Sequence, residues 1–269
     1  AEAAGRTLTV QGSAFTNNNN AQATAGTLNI AFTNWTNPGS ITATGATLGF
    51  SGAWSNAGTL SVDASTLNLG GTFLTSGFNF PGFTRTGGTV NITGTLTNTA
   101  ATLALNAATG SWNLSGGTLT GGSVTFAGGA NLLMTTSGGT LSSVAIAGDI
   151  LLNTSSARVL LAGTTSFTTA RMSAGSTSIG IVPGYTLTGT IVDEGATGGN
   201  RVIEMNGSAG TFTIGAAGTI RLASGAGGDM IVGGVQFFGG TMTLVNNGLI
   251  TAEAAGRTLT VQGSAFTNN

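Results

Sequence analysis

Asp193 and Glu194 are the only adjacent carboxylates in this 269-residue chain. Two carboxylates on one face can divide the acid and base work of glycosidic bond cleavage. Asp149, Glu204 and Asp229 are the other acids that a favourable register could bring to them. The simpler expectation for the pair is a solvated turn. Ser224 to Val232 reads SGAGGDMIV, which fits the calcium nonapeptide GGxGxDxUx except at its first glycine. Such sites need consecutive nonapeptides that share an ion, and the next nine residues, GGVQFFGGT, carry no carboxylate. A glycine turn is expected there, with no metal. Thr-x-Thr recurs at Thr7, Thr42, Thr95, Thr118, Thr186, Thr211 and Thr241, as on ice-binding faces, but at spacings too uneven for one face to carry them all. Threonine is also a good strand residue in its own right.

The remaining chemistry is sparse. The chain has no Lys, His or Cys, so it has no imidazole proton shuttle, Schiff-base amine, thiol nucleophile or soft metal ligand. No enzymatic activity and no cofactor are expected. Seven Arg against eight acids leave a net charge of −1, too balanced to attract a phosphate backbone, so no nucleic-acid partner is expected. No apolar run approaches the ~18 residues that would make a membrane-spanning helix. Without cysteine the redox compartment is open. The absence of an initiator Met and a signal peptide reads as a mature fragment or an internal segment.

The elements that would position these groups follow from composition and period. Only 6 % of residues are charged, 40 % are hydrophobic and 47 are glycine, which points to strands joined by many tight turns rather than to disorder. FTN at Phe15, WTN at Trp35 and WSN at Trp54 align, and twelve residues after each aromatic stands a Thr-Leu pair: Thr27-Leu28, Thr47-Leu48 and Thr66-Leu67. Fifteen residues after it stand Ile30, Phe50 and Leu69, and Thr7-Leu8 with Val10 extend the register upstream. Apolar residues at i and i+2 are the period of a strand with one buried face.

A unit of about 20 residues with two or three short strands predicts one turn of a parallel β-solenoid, in which like residues stack on like. Residues 1–269 read as one continuous all-β solenoid with coils of about 19–23 residues. The unequal coil lengths favour right-handed winding. Leu8, Leu28, Leu48 and Leu67 are expected to form one interior column, and Val10, Ile30, Phe50 and Leu69 another. Asn17, Asn37 and Asn56 are expected to form an amide ladder. Trp35, Trp54 and Trp112 read as core residues rather than sugar-stacking platforms. GFNFPGFTR, Gly77 to Arg85, lengthens its coil. Its Phe78, Phe80 and Phe83 are either flank packing or an exposed lateral contact between fibres. Between about Asn98 and Asn200 the register is irregular. Gly218-Thr219-Ile220 and Gly240-Thr241-Met242 then suggest that an even coil spacing resumes.

The longest repeat is the plainest. AEAAGRTLTVQGSAFTNN occupies residues 1–18 and again residues 252–269, so the two copies lie 251 residues apart. Residues beyond Asn269 in the native polypeptide are expected to be equivalent to those beyond Asn18. With about 12 coils near 4.8 Å each, such a unit would rise roughly 60 Å. The expected partner is the chain itself, head to tail, in a covalent array or a polymer joined by strand addition.

The runs NAGTLSVDASTLNLGGT, GGTVNITGTLTNT and SGGTLTGGSVTFAGG resemble giant bacterial surface and secreted β-strand-repeat proteins, of the autotransporter-associated or filamentous-haemagglutinin-like β-helix kind. The resemblance covers most of the chain and rests on strand style rather than on a fixed motif. It implies a secreted or cell-surface β-helix that serves as a structural fibre, or as an adhesin stalk meeting host, cell or carbohydrate surfaces.

Overall fold

The computed structural model describes all of residues 1–269. It is an all-β parallel β-solenoid of about 12 turns, whose only helical element is the 3-10 turn Phe80–Gly82. The chain divides into two compact units, residues 1–132 and 133–269.

In the first unit the first two coils contribute two strands each, Thr7–Thr16 with Asn20–Ala23 and Thr27–Asn37 with Ser40–Thr44, and the coils after them three. Thr47–Phe50, Ala53–Asn56 and Thr59–Asp63 form one coil, and Thr66–Leu69 with Thr72–Phe78 continue into the next. The pairing is parallel and runs from coil to coil: Thr27 lies beside Thr47, Thr47 beside Thr66 and Thr66 beside Thr89. The last of these coils is the longest, because it carries the Phe80–Gly82 turn. TLGF and TLNL alternate half-exposed and buried positions, because side chains of a strand point to opposite faces and only one face meets the interior. Leu8, Leu28, Leu48, Leu67 and Val90 therefore occupy successive rungs of one column. Val10, Ile30, Phe50, Leu69 and Ile92 occupy a second. Each fully buried aliphatic side chain in these columns stabilises the fold by about 1.5–3 kcal/mol.

The corners explain two composition features. Trp35 and Trp54 are buried, their rings 5.5 Å apart and stacked, and Phe73 continues the stack at 4.3 Å. Their indole N–H groups donate to the carbonyls of Ser51 and Gly70, both at 2.8 Å, so each ring fills the core while its polar edge ties down the next turn. Gly52 and Gly71 sit at those turns with φ of +72° and +64°, and a Cβ would lie 1.7 Å and 2.0 Å from a carbonyl oxygen of the preceding coil. Only glycine fits such a close approach.

The second unit has stacked columns of its own, and its last coils are longer. Ile150, Ala170, Ile191, Ile220 and Ile250 stack in order, as do Leu152, Met172, Asp193, Leu222 and Ala252. Thr169 pairs with Thr190 across a coil of ordinary length, whereas the coils from Thr190 to Thr219 and from Thr219 to Leu249 are distinctly longer. The even spacing suggested by GTIRL and GTMTL is thus not a coil repeat. Thr219–Leu222 pairs with Leu249–Ala252, while Met242–Asn246 belongs to a different sheet and pairs with Gly210–Ile214. Two glycine-rich insertions, around residues 194–200 and 233–241, supply the extra length.

Candidate functional site: carboxylates, aromatics and the repeated rung

The carboxylates do not converge on a common cleft. Asp193 stands at an inward position of its column, between Met172 and Leu222, and its Oδ1 lies 3.1 Å from Arg201 Nε with both side chains fully buried. Loss of solvation raises its pKa to about 6 against the opposing pull of Arg201. The guanidinium also donates to the carbonyls of Thr197 at 2.8 Å, Gly199 at 2.6 Å and Gly195 at 3.1 Å. One buried arginine thereby organises the insertion around residues 195–199. Glu194 turns the other way: Arg171 bridges Asp149 at 2.6 Å and Glu194 at 2.7 Å, making a half-exposed acid-base-acid ladder.

Glu204 is the buried acid whose setting the sequence reading missed. Its Oε2 accepts backbone N–H bonds from Gln236 at 2.7 Å, Phe237 at 3.1 Å, Phe238 at 3.0 Å and Gly239 at 3.1 Å. Its Oε1 accepts the Ser178 hydroxyl. Burial would push this carboxyl upward, but the converging N–H groups and the hydroxyl together hold it below the ordinary glutamate value. The loop it anchors lies over the outer face of strand Arg201–Met205, so all five residues of that strand are buried. Arg158 sits 4.6 Å over the Phe237 ring and secures the loop's other side. The paired glycines flanking VQFF were the available signal. Asp229 accepts the Thr258 N–H at 2.9 Å.

The aromatic and threonine candidates are dispersed. Phe78 and Phe83 are buried and pack edge-on against Trp112 at 5.8 and 6.2 Å. Only Phe80 of the three is partly exposed, so the loop packs on the solenoid flank and offers no three-ring exposed contact. Of the Thr-x-Thr pairs, Thr95-Leu96-Thr97 stacks directly on Thr118-Leu119-Thr120, whereas Thr211 lies beside Thr243 rather than Thr241.

The repeated segment is where the geometry concentrates. In both copies Arg donates its N–H to the Ala three residues earlier, Arg6 to Ala3 at 3.1 Å and Arg257 to Ala254 at 3.3 Å. Gly5 and Gly256 have φ of +68° and +70°, and Gly12 and Gly263 have +156° and +155°. The turns at these glycines are the same, although the first copy runs as one strand, Thr7–Thr16, and the second as two, Leu259–Val261 and Ala265–Asn268. The pairing edge is not the same. The first copy bonds only to the coil after it: Leu8 beside Leu28, Val10 beside Ile30 and Phe15 beside Trp35. The second bonds to coils that precede it: Leu259 beside Met230, Val261 beside Val232 and Phe266 beside Leu244.

The amide ladder has the same polarity on both edges. Asn17 Nδ2 donates to Asn37 Oδ1 at 2.7 Å, and Asn37 Nδ2 donates on to Asn56 Oδ1. In the second copy Asn246 Nδ2 donates to Asn268 Oδ1 at 2.6 Å. Asn268 is the counterpart of Asn17, so one residue type at one repeat position accepts from the earlier coil in one copy and donates to the later coil in the other. Each copy also borders an open apolar cleft. Leu8, Val10, Phe15 and Asn17 line one of about 210 Å³ with Leu28 and Ile30. Leu259, Val261, Phe266 and Asn268 line one of about 390 Å³ with Asn246 and Ile250. Leu8 is 49 % and Phe266 52 % exposed, each apolar on the edge where its copy has no neighbour.

No protein-family model, curated protein or solved structure matches this chain.

Proposed function

We propose that this chain is a structural repeat of an extracellular filament, a right-handed β-solenoid that continues through the segment AEAAGRTLTVQGSAFTNN into another copy of itself. The observation that carries the proposal is the repeated rung: two identical segments share their glycine turns and pair in parallel, one with the coil after it and the other with coils before it. A segment suited to a coil on either side suits an interior position between two repeats. Every buried acid is committed to a neighbouring arginine or to backbone N–H groups, which favours a structural over a hydrolytic role. The likeness to bacterial surface β-strand-repeat proteins supports the extracellular placement. Fibre diffraction of aligned tandem-repeat protein tests the proposal: a meridional spacing near ~4.8 Å is expected, and its absence along the long axis would overturn it.

A second reading is an adhesin stalk, favoured by one observation. The loop held by Glu204 carries Val235 70 % exposed beside a 40 % exposed Phe237, a small apolar prominence on an otherwise polar flank. Saturable binding to glycans or cells that is lost in Val235→Ser would establish it. Unchanged binding in that variant would dismiss it.

A further inference from the structure

The pairing of Ala53–Asn56 with Thr72–Phe78 is broken once: Ala53 lies beside Thr72 and Trp54 beside Phe73, but Asn56 lies beside Phe78. Residues 74–77 of the later strand thus stand against Ser55 alone, an enlarged bulge that lifts the chain away from the coil beneath it. Between this bulge, with its Phe80–Gly82 turn, and the Ser55–Ala57 corner lies an open groove of about 450 Å³. That size falls within the roughly 300–1,000 Å³ of small-molecule clefts. Its walls are pinned. Asn79 Nδ2 donates to the carbonyls of Ala57 and Gly58, both at 3.0 Å, and Asn79 Oδ1 accepts the Gly82 N–H at 3.3 Å. Phe80 lines the groove half-exposed, its ring stacked at 6.1 Å on the buried Trp112 and tilted at 4.8 Å against Phe78. A ligand there would meet an aromatic platform already fixed in place, so little ordering cost falls on binding.

We propose that this groove binds a neutral saccharide, with the Phe80 ring and Pro81 against the apolar face of a pyranose and the hydroxyls of Ser55 and Ser76 at its rim. The inference goes beyond the filament reading and is independent of the Val235 prominence. Three observations select the ligand class. An aromatic face beside hydroxyl groups suits a pyranose, whose ring C–H groups form an apolar face and whose hydroxyls each donate and accept. Ser55 is half-exposed and Ser76 exposed, and no protein group engages either hydroxyl, so both are free for a ligand. No Asp, Glu, Lys or Arg lines the groove. Nothing there offsets the desolvation of a uronate, a sulfate or an ammonium group, which sets charged glycans and charged peptides aside. The groove is also small for a protein partner, which takes about 20–30 residues a side in a stable interface.

The test is calorimetric titration of the full-length chain with cellotetraose, chitotetraose and maltotetraose, and with tetragalacturonate as the charged control. Saturable binding of at least one neutral tetramer is expected, with none of the control. Phe80→Ala is expected to weaken that binding by at least about tenfold, the order of one aromatic contact with its burial, and Phe80→Trp to restore it. Ser76→Arg places a long side chain in the groove without breaking a hydrogen bond. It is expected to abolish binding while amide exchange of Thr72–Phe78 and Phe83–Thr86 stays unchanged, which separates a blocked site from a misfolded bulge. Val235→Ser is expected to bind as the unmodified chain does. Saturation by none of the neutral tetramers, or binding that survives Ser76→Arg, would overturn the proposal. Loss of binding in Val235→Ser but not in Ser76→Arg would overturn it too, and would give the ligand to the loop held by Glu204. Tighter binding of tetragalacturonate than of any neutral tetramer would overturn the ligand class. A concentration-dependent dimer that Ser76→Arg dissolves would assign the groove to a second copy of this chain instead. All of these outcomes leave solenoid continuation to its own diffraction test.

Discussion

Leu8, Leu48 and Leu259 are leucines on paired rungs, Leu8 and Leu48 in one column and Leu259 on Met230 in another strand series, and they differ in how many neighbouring rungs cover them. Leu48 lies between Leu28 and Leu67 and is fully buried. Its replacement by Ala removes the transfer free energy of the lost atoms and leaves a cavity that a stacked column cannot collapse, about 2–5 kcal/mol in total. Leu8 has one neighbour and is 49 % exposed. Leu8→Ala should then cost roughly half the burial energy of a leucine, about 1 kcal/mol, with no enclosed cavity. In a covalent chain of two repeats the middle copy of Leu259 acquires Leu28 of the next repeat as its second neighbour, and Leu259→Ala there should rise into the Leu48 range. Because a solenoid unfolds as coupled coils rather than all at once, the assay is amide hydrogen exchange read coil by coil, with protection converted to local opening free energy. Leu48→Ala should lower protection of Thr27–Asn37, Thr47–Phe50 and Thr66–Leu69 by at least about tenfold more than Leu8→Ala lowers that of the first rung. Equal effects of the two substitutions, or a middle Leu259→Ala no worse than Leu8→Ala, would refute the stacking on which these magnitudes depend.

Leu28→Asp should disrupt the same column more severely than Leu28→Ala, because the nearly uncharged core of the first unit offers no partner for a buried carboxylate; an unchanged thermal midpoint would contradict this. Asp193 predicts a pH dependence of the opposite sense to most acids. With a folded pKa of about 6 above the unfolded value near 4, the folded state binds its proton more tightly, so its contribution is greatest below about pH 4 and is lost as pH rises through about 6, on the order of 2–3 kcal/mol. Hydrogen exchange of the coils around Met172 and Leu222 should slow on going from pH 7 to pH 5 after correction for intrinsic rates, and Asp193→Asn should abolish that slope. Glu204 acts in reverse: its lowered pKa gives stability that is fully present above the ordinary glutamate value and is lost as pH falls below it through the lowered folded value. Glu204→Ala should release residues 233–240 to limited proteolysis by removing the acceptor of four backbone N–H groups, each unsatisfied donor costing about 1–3 kcal/mol. Unchanged cleavage would show that Arg158 over the Phe237 ring and the Gln236 side-chain amide, which donates to the Ser176 carbonyl at 2.6 Å, hold the loop unaided.

The legible part of this fold is the part where side chains repeat at coil spacing. The Thr-Leu pairs and the Phe15, Trp35, Trp54 and Phe73 series fall on paired rungs because each rung must bury the same face against the last, so the sequence carries the register as a visible period. That signal fades where coils change length. GTIRL and GTMTL look alike because both are strands with one apolar face, yet they lie in different sheets, and local alternation says nothing about which sheet a strand joins. Asp193 was readable in principle. GTIVD aligns with GTIRL, so Asp193 takes the inward place of Leu222, and an inward acid calls for a buried cation such as Arg201. The paired glycines flanking VQFF marked a loop, but its attachment to Glu204 was not readable, because the groups that hold it are backbone N–H groups, which every residue but proline possesses. The duplicated segment revealed its importance as identity of sequence, but only the strand pairing assigns the first copy to one edge and the second to the other.

Hydrogen exchange of a covalent two-repeat chain, residues 1–251 followed by residues 1–269, tests solenoid continuation most directly, since AEAAGRTLTVQGSAFTNN then occurs at the start, the middle and the end. The middle copy is expected to exchange as slowly as Thr47–Phe50 while the two outer copies exchange fast. A middle copy as labile as the outer ones would contradict it.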